Sequence, residues 1–405
     1  MKRIRIEYFK NLDNYGTAMM GLVTVAALAR RYGPEQVEFH CDFDDDRVLE
    51  EARAELPAGI RLVRRPTPDQ RTAGLSPLRR KTARLGSLLF ENEGKGFDML
   101  VVLGGDDLSE YYSPWAPALA LLRKWRASFR TRVVLLGQTV GPFTRPLNRL
   151  LARRLMPRME LYSRDEPNAA YLAAEFGLHP RLSADLALCD LPLQKETGAA
   201  PLSEYGLREA EYVTVIVSGC QSGGRYYCRN TGTYIARFRE IVRGLLADPR
   251  LTGKQIVLLA HTFGSHGDEP AAVRAVAEGL DPAERERIVP VAEKIGPTRA
   301  RAILGHGLFT VTGRMHAAVS TFQGGRPAIS LSYSAKYDGV IGRGLGRGDL
   351  IVEADDDRLW ESGRIAELVA EKTDYLLTHY GRLCGEIAER VAATRRTAEE
   401  TLKNL

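Results

Sequence analysis

Short apolar runs alternate with longer amphipathic stretches along the chain, a pattern typical of parallel strands connected by helices. The run Asp98–Leu103 is apolar after its first residue and ends in two glycines, which predicts a strand buried on both faces. Val133–Leu136 repeats this pattern, and the segment Leu182–Leu188 closes the first half of the chain. The other predicted strands are Arg3–Phe9, Gln36–Phe43, Ile60–Val63, Glu160–Ser163, Tyr212–Ser218, Gln255–Ala260, Ile288–Val291, Leu308–Thr312 and Ala328–Ser332.

Helical spacing of apolar residues fills much of the chain between these runs. The predicted helices are Thr17–Arg31, a helix beginning near Pro167, Thr231–Leu246, Glu269–Gly279, Pro297–Leu304 and Met315–Gln323. Two such series predict two doubly wound α/β domains that face one cleft, in agreement with a length of 405 residues. Segment 191–206 contains proline, glycine and both charges, which predicts a linker between a domain at 1–190 and a domain at 207–354. The helical spacing of 355–405 predicts a C-terminal helical segment.

Composition narrows the class of protein. Apolar residues make up 44% of the chain and charged residues 27%, as in a soluble globular protein. The net charge of +6 suits an anionic substrate or an acidic membrane surface, and equally an ordinary solvated surface, while nothing indicates a nucleic-acid partner. The basic stretch Arg61–Arg84 is either an exposed helix with its loop or a patch that faces an acceptor or lipid.

Cysteine spacing and hydropathy bear on the compartment. The five cysteines are scattered and none has CxxC spacing, so neither a disulfide framework nor a zinc site is predicted. The first residues lack the apolar core of a signal peptide, and no apolar run is long enough to span a membrane. We therefore expect a cytoplasmic protein, with peripheral association at the inner face of the membrane as an alternative. The oligomeric state is left open.

Chemistry concentrates in residues 307–346. An apolar strand there is followed by Arg314 and His316 at the start of a helix, and the next strand leads to Tyr333 and Lys336. Ligands of open α/β sheets bind at the carboxyl ends of the strands, where all of these side chains are expected. Two fixed cations, an imidazole and a helix N-terminus suit an acidic, phosphorylated small molecule.

Further candidates lie elsewhere in the chain, each with a plainer structural explanation. Asp106 and Asp107 follow two glycines, so they cap a helix or contact an acceptor. His261 ends a strand, but His261, His266 and Asp268 lack a fourth ligand at suitable spacing for zinc. Asn14 and Gly16 either cap a helix or bind an anion at its N-terminus. The glycine-rich loop 221–229 either contacts a phosphate or forms a simple turn, and Gln138 is a further candidate.

Several motifs in one order resemble the polysaccharide pyruvyl transferase family. They are Asn14-x-Gly16, Gly104-Gly105-x-x-Leu108, Gly137-Gln138-Thr139-Val140-Gly141-Pro142, Ser163-Arg164-Asp165-Glu166, Asp185, Arg314-Met315-His316, Gly325-x-Pro327 and Lys336. The resemblance implies two Rossmann-like domains of the GT-B type. It also implies transfer of the enolpyruvyl group of phosphoenolpyruvate to two sugar hydroxyls, which leaves a pyruvate ketal and phosphate. The chain departs from the family pattern at Thr17, usually acidic, and at Asp106, often glycine.

The resemblance implies that Arg164, His316 and Lys336 hold and activate phosphoenolpyruvate, with Arg314 beside them. Protonation of the methylene carbon requires a general acid, for which the imidazole of His316 is suited. No step requires a metal or another cofactor. The expected acceptor is a sugar, a nucleotide sugar or a lipid-linked saccharide, contacted by Asn14, Gly16, Asp106, Asp107, Gln138 and His261 as candidates. Two alternatives stay open, a GT-B glycosyltransferase that uses a nucleotide sugar and a divergent, non-catalytic binder of a phosphorylated metabolite.

Overall fold

A computed structural model of the chain describes residues 1–72, 74–106, 108–110, 113–218, 228–264 and 268–405. These residues form two compact units. Unit 1 consists of Met1–Leu12, Thr17–Leu186 and Thr397–Leu405, and unit 2 consists of Asp13–Gly16 and Ala187–Arg396.

Unit 1 is a parallel α/β unit. Its described strands are β1 (Lys2–Glu7), β2 (Val37–Cys41), β3 (Arg61–Arg64), β4 (Met99–Leu103), β5 (Arg132–Gln138), β6 (Glu160–Ser163) and β7 (Arg181–Leu182). They pair in parallel in the order β3-β2-β1-β4-β5-β6-β7. The helices are α1 (Tyr15–Tyr32), α2 (Asp46–Ala54), α3 (Pro68–Arg71), α4 (Pro77–Phe90), α5 (Ala116–Ala127), α6 (Pro146–Leu155) and α7 (Glu166–Phe176). Every residue of β4 is buried, as the continuous apolar run predicts for a central parallel strand.

Unit 2 repeats this architecture. Its described strands are β8 (Tyr212–Ile216), β9 (Gln255–Leu259), β10 (Ile288–Val291), β11 (Thr310–Thr312), β12 (Ala328–Ser332) and β13 (Ile351–Glu353), in the parallel order β10-β9-β8-β11-β12-β13. Its helices are α8 (Gln194–Thr197), α9 (Ala200–Glu204), α10 (Thr231–Ala247), α11 (Glu269–Glu278), α12 (Pro282–Arg285), α13 (Pro297–His306), α14 (Met315–Gln323), a π-helix (Asp338–Gly344), α15 (Asp357–Glu361), α16 (Arg364–Thr378) and α17 (Tyr380–Asn404).

The observed elements differ from the predicted ones at several places. The segment Leu182–Leu188 is not one strand, because only its first residue belongs to β7. Its last three residues, Leu186–Leu188, form a 3₁₀ turn and are all buried. Segment 191–206, predicted as a linker, contains α8 and α9 and belongs to unit 2. The C-terminal segment is helical, but its last part, Thr397–Leu405, groups with unit 1.

No helix in the described ranges is long and apolar enough to cross a membrane.

Candidate active site

The carboxyl ends of the unit 2 strands carry a cluster of polar side chains. Because these strands are parallel, the loops that follow β9, β11 and β12 leave the sheet at the same edge. They carry His261, Arg314 and Lys336 respectively, and His316 lies in the first turn of α14. The structure thus brings together four of the predicted site residues in unit 2.

A buried carboxylate holds Arg314 in place. Glu269, the first residue of α11, is 0% exposed, and its Oε1 accepts a hydrogen bond from Nε of Arg314 at 2.5 Å. Its Oε2 accepts from the backbone N–H groups of His261 at 2.7 Å and Thr262 at 2.9 Å. One carboxylate therefore fixes both the guanidinium and the loop after β9, and a charge-assisted bond of this kind is stronger than a neutral one.

Glu269 was not among the residues predicted from the sequence. It stands 45 residues before Arg314 and follows Asp268, which caps α11 by accepting from the backbone N–H of Ala271 at 2.9 Å. In the sequence, an Asp-Glu-Pro segment before a helix indicates only a helix start. The burial of Glu269, which no local pattern reveals, is what distinguishes it.

The segment Asp13–Gly16 is part of unit 2 and lies against His316. A Cβ added to Gly16 would lie 2.2 Å from Nδ1 and 2.6 Å from Cβ of His316, so only glycine fits there. The Asn14 side chain accepts a hydrogen bond from the backbone N–H of Gly16 at 3.1 Å, and Asn14 forms an antiparallel bridge with Thr262. The Asn14-x-Gly16 motif therefore shapes the immediate surroundings of the imidazole.

His261 is a buried and neutral neighbour of this cluster. Its side chain lies edge-on to the ring of Tyr15, with 5.3 Å between the centroids, and the residue is only 1% exposed. Burial, followed by the nearby charges of His316, Arg314 and Arg301, lowers the pKa of His261 well below its usual value. Among the described residues, neither ring nitrogen has a hydrogen-bond partner. The two uncharged ring nitrogens of His261 therefore lie near the cationic side chains of Arg314 and Arg301.

The loop after β12 positions Lys336. Its Nζ donates a hydrogen bond to the hydroxyl of Tyr333 at 2.9 Å and lies 4.7 Å from the centroid of that ring. Tyr337, which is buried, donates from its hydroxyl to the carbonyl of Gly313 at 2.6 Å. Because that bond joins the loops after β11 and β12, Lys336 and Arg314 are held on connected segments.

The predicted residues of unit 1 have mostly internal partners. Arg164 donates from Nε to the hydroxyl of Thr139 at 2.8 Å and from a terminal nitrogen to Asp185 at 3.2 Å. The side chains of Arg164 and Asp185 are 1% and 0% exposed, so the pair is buried. Gln138 donates to backbone carbonyls of β4, at 3.2 Å and 2.6 Å, and is also buried.

The other sequence candidates have no resolved role in the described residues. Asp106 is partly exposed in the loop after β4. Asp107, His266 and residues 219–227, which include most of the glycine-rich loop, lie outside the described residues. Within the described ranges, no group of three His, Cys, Asp or Glu residues has the arrangement needed to hold a metal ion.

Two parallel α/β units, the second with a basic cluster and an imidazole at its strand ends, define a fold of the GT-B type. The model of the family described as polysaccharide pyruvyl transferase matches residues 14–335, and the chain belongs to this family. A search of the curated proteins found no match.

Solved structures support the fold assignment. The chain is similar to UDP-GlcNAc 2-epimerase from Neisseria meningitidis bound to UDP-GlcNAc, with a TM-score of 0.60 and 9% identity over 100% of this chain and 99% of that one. It is also similar to S. aureus MnaA in a co-structure with UDP (TM-score 0.58, 12% identity, 98% and 92% covered). UDP-GlcNAc 2-epimerase from Methanocaldococcus jannaschii gives a TM-score of 0.55 at 13% identity, with 90% and 91% covered. These likenesses confirm the predicted fold class of two Rossmann-like α/β domains.

Proposed function

We propose that the chain is a pyruvyl transferase that moves the enolpyruvyl group of phosphoenolpyruvate onto a sugar of a glycan or glycan precursor. The observation that carries the proposal is the position of His316, a half-buried residue whose imidazole packs against Gly16 and which follows the carboxylate-held Arg314 by two residues. Family membership supports the same reaction class. We assign His316 as the general acid.

The donor is expected to bind through its two anionic groups. Arg314 is fixed by Glu269, and a guanidinium binds carboxylate or phosphate in a bidentate manner, which suits Arg314 to an anionic donor. Lys336 supplies a compact charge suited to phosphate. The N-terminus of α14, which begins at Met315, adds backbone N–H groups and a partial positive charge.

The chemistry needs one proton donor at the methylene carbon. His316 protonates that carbon of phosphoenolpyruvate, and the cation that develops at the neighbouring carbon is attacked by the first sugar hydroxyl. Loss of phosphate from the same carbon then allows the second hydroxyl to close the ketal. Of the two protons that the hydroxyls release, one restores the imidazole and the other leaves with phosphate. Two carbon–oxygen bonds to the sugar form, one to phosphate breaks, and no oxidant is needed.

The residues of unit 1 have a different proposed part. With bonds to Thr139 and Asp185, Arg164 is suited to holding the loop 137–142 in place, whereas the family resemblance assigns it a direct contact with phosphoenolpyruvate. We propose Arg314 and Lys336 as the main donor contacts. We keep His261, Asn14, Gly16 and Asp106 as candidate contacts of the acceptor.

A second candidate function is transfer from a nucleotide sugar. It is favoured by the similarity to structures described with bound UDP or UDP-GlcNAc. Against it, the loop after β12 presents Tyr333 and Lys336, whose cationic group suits a small anionic donor.

Substitution of His316 tests the proposal. In His316→Ala, we expect phosphoenolpyruvate to bind within a few-fold of wild type, while phosphate release in the presence of an accepting saccharide is lost. His179→Ala, which removes an exposed histidine of unit 1, is the matched control and should keep full turnover. Undiminished phosphate release in His316→Ala would exclude this residue as the acid.

A further inference from the structure

A cavity of about 370 Å³ lies in unit 1, away from the residues considered so far. It opens where β1 and β2 end, beside α5, which follows β4. The strand order runs outward from β1 through β2 to β3, and then in the other direction from β4. The cavity is therefore next to the topological switch point, where open parallel sheets bind ligands.

The floor of the cavity is a set of buried charges. Lys124 forms ion pairs with Glu7 and, at 2.7 Å, with Glu93, and Glu7 is also paired with Arg5 at 2.8 Å. These carboxylates are therefore occupied by protein cations. Among the described residues, the carboxylate of Asp42, which is 2% exposed, accepts hydrogen bonds from backbone N–H groups, those of Tyr8 at 3.0 Å and Phe9 at 2.9 Å. Each oxygen of a carboxylate has a second lone pair, so Asp42 can accept hydroxyl groups of a ligand.

Backbone strain accompanies this arrangement. Tyr8 lines the cavity together with Glu7 and Asp42. Its φ of 65° lies in the left-handed region, which a bulky residue rarely adopts. Such conformations persist only where the surrounding structure determines them, and they cluster at ligand sites. Here the hydrogen bond from the Tyr8 backbone to Asp42 holds the strained residue in place.

The rim of the cavity is basic and one wall is apolar. Lys10, Arg80 and Arg123 line the rim, and Nε of Arg80 is buried without a hydrogen-bond partner among the described residues. The wall on α5 consists of Ala116, Leu119 and Ala120. A cavity with a carboxylate for hydroxyls, an apolar wall and a cationic rim has complementary groups for each part of a phosphorylated sugar.

We propose that this cavity binds the phosphate- or diphosphate-bearing part of a sugar, with the sugar hydroxyls on Asp42 and the phosphate on Arg80. That the sugar is the acceptor rests on the proposed function, whereas the phosphate is inferred from the cavity alone. The acceptor would accordingly be a phosphorylated precursor, such as a sugar joined through phosphate to a nucleotide or lipid, and not a neutral polymer.

Calorimetric titration of the full chain tests the proposal. The probes are glucose 1-phosphate, UDP-N-acetylglucosamine, glucose and inorganic phosphate, each with and without phosphoenolpyruvate. We expect the two phosphorylated sugars to bind at least tenfold more tightly than glucose or phosphate alone. Arg80→Gln should weaken them about tenfold, because a charge-assisted hydrogen bond is lost. Arg79→Gln, on the same helix but exposed and outside the cavity lining, is the matched control and should change affinity less than twofold.

Other outcomes would overturn the proposal. Equal affinity for glucose and glucose 1-phosphate would refute the anion contact, and equal affinity for phosphate alone would refute the sugar contact. Equal losses in the Arg79 and Arg80 variants would show diffuse attraction, and silence of all probes in both conditions would remove the site. Binding of a sugar phosphate without any binding of phosphoenolpyruvate would support this site and refute the proposed function. Binding of phosphoenolpyruvate without any binding of a sugar phosphate would support the proposed function and refute this site.

Discussion

The contact between Gly16 and His316 gives the sharpest prediction. Replacing Gly16 with alanine would place a methyl group 2.2 Å from Nδ1, 2.4 Å from Cγ and 2.6 Å from Cβ of His316. Rotation of the imidazole cannot relieve the overlap, because Cβ, which does not move on rotation, is itself too close. The whole side chain, or the start of α14, must therefore shift.

The size of that shift follows from the distances. Ordinary contacts of a Cβ begin near 3.4 Å, so the shortest distance must grow by 3.4 − 2.2 = 1.2 Å. A misplacement of about 1 Å at a reacting group costs roughly 100-fold in rate. Overpacking costs about 1–3 kcal/mol, partly offset by the roughly 1 kcal/mol that alanine gains over glycine in a helix. We therefore expect a folded protein with about 100-fold lower turnover.

The assay measures phosphate release from phosphoenolpyruvate with a saccharide that supports wild-type turnover. Gly244→Ala is the matched control, because Gly244 lies within α10 and an added Cβ meets nothing within 4 Å. That variant should keep full turnover and gain up to about 1 kcal/mol in free energy of unfolding. If Gly16→Ala retains turnover within twofold of wild type, the position inferred for the imidazole, or its role, is refuted.

Three further substitutions test other contacts. Glu269→Gln removes the charge that holds Arg314. Urea titration should show a free energy of unfolding lower by about 3 kcal/mol, and binding of phosphoenolpyruvate should be weaker. An unchanged urea midpoint would contradict the ion pair. Burial and then Glu7 raise the pKa of Asp42 from 3.8 to about 6, so the folded form holds a proton that the unfolded form has lost between these values. The unfolding free energy of wild type relative to Asp42→Asn should therefore fall by about 2 kcal/mol from pH 4 to pH 7, and a flat difference would refute the shift. Arg164→Ala leaves Asp185 buried without this cation and should destabilise by about 3–5 kcal/mol, with partial recovery when Asp185→Ala is added; simple additivity of the two losses would argue against the pair.

Much of the fold is predictable because parallel strands are buried on both faces. Strand β12 and helix α14 coincide with their predicted bounds, since a continuous apolar run, a glycine pair and proline mark each change of period. Strand β13 has only three residues, too few to show a period, and was not predicted. Segment 191–206 suggested a linker by composition, yet Pro201 and Leu202 are buried, which only tertiary packing decides.

Only the residues of the candidate site that lie in local sequence motifs could be predicted. Arg314, His316 and Lys336 stand at strand ends in one βαβ unit, so their common edge follows from the topology. Glu269 reaches Arg314 across 45 residues of sequence, and Gly16 reaches His316 across a far longer interval. Contacts between residues so far apart leave no periodic signal in a single sequence. The contacts of Glu269 with Arg314 and of Gly16 with His316 are therefore visible only in the structure.

Phosphoenolpyruvate is the proposed donor, and its binding to the folded chain can be measured by thermal denaturation. The melting temperature of the full chain is measured against phosphoenolpyruvate, UDP and GDP in parallel, since a ligand of the folded state raises the melting temperature by mass action. We expect phosphoenolpyruvate to raise the melting temperature and neither nucleotide alone to replace this effect. Stabilisation by UDP or GDP, with no response to phosphoenolpyruvate, would refute phosphoenolpyruvate as the donor and favour a nucleotide sugar.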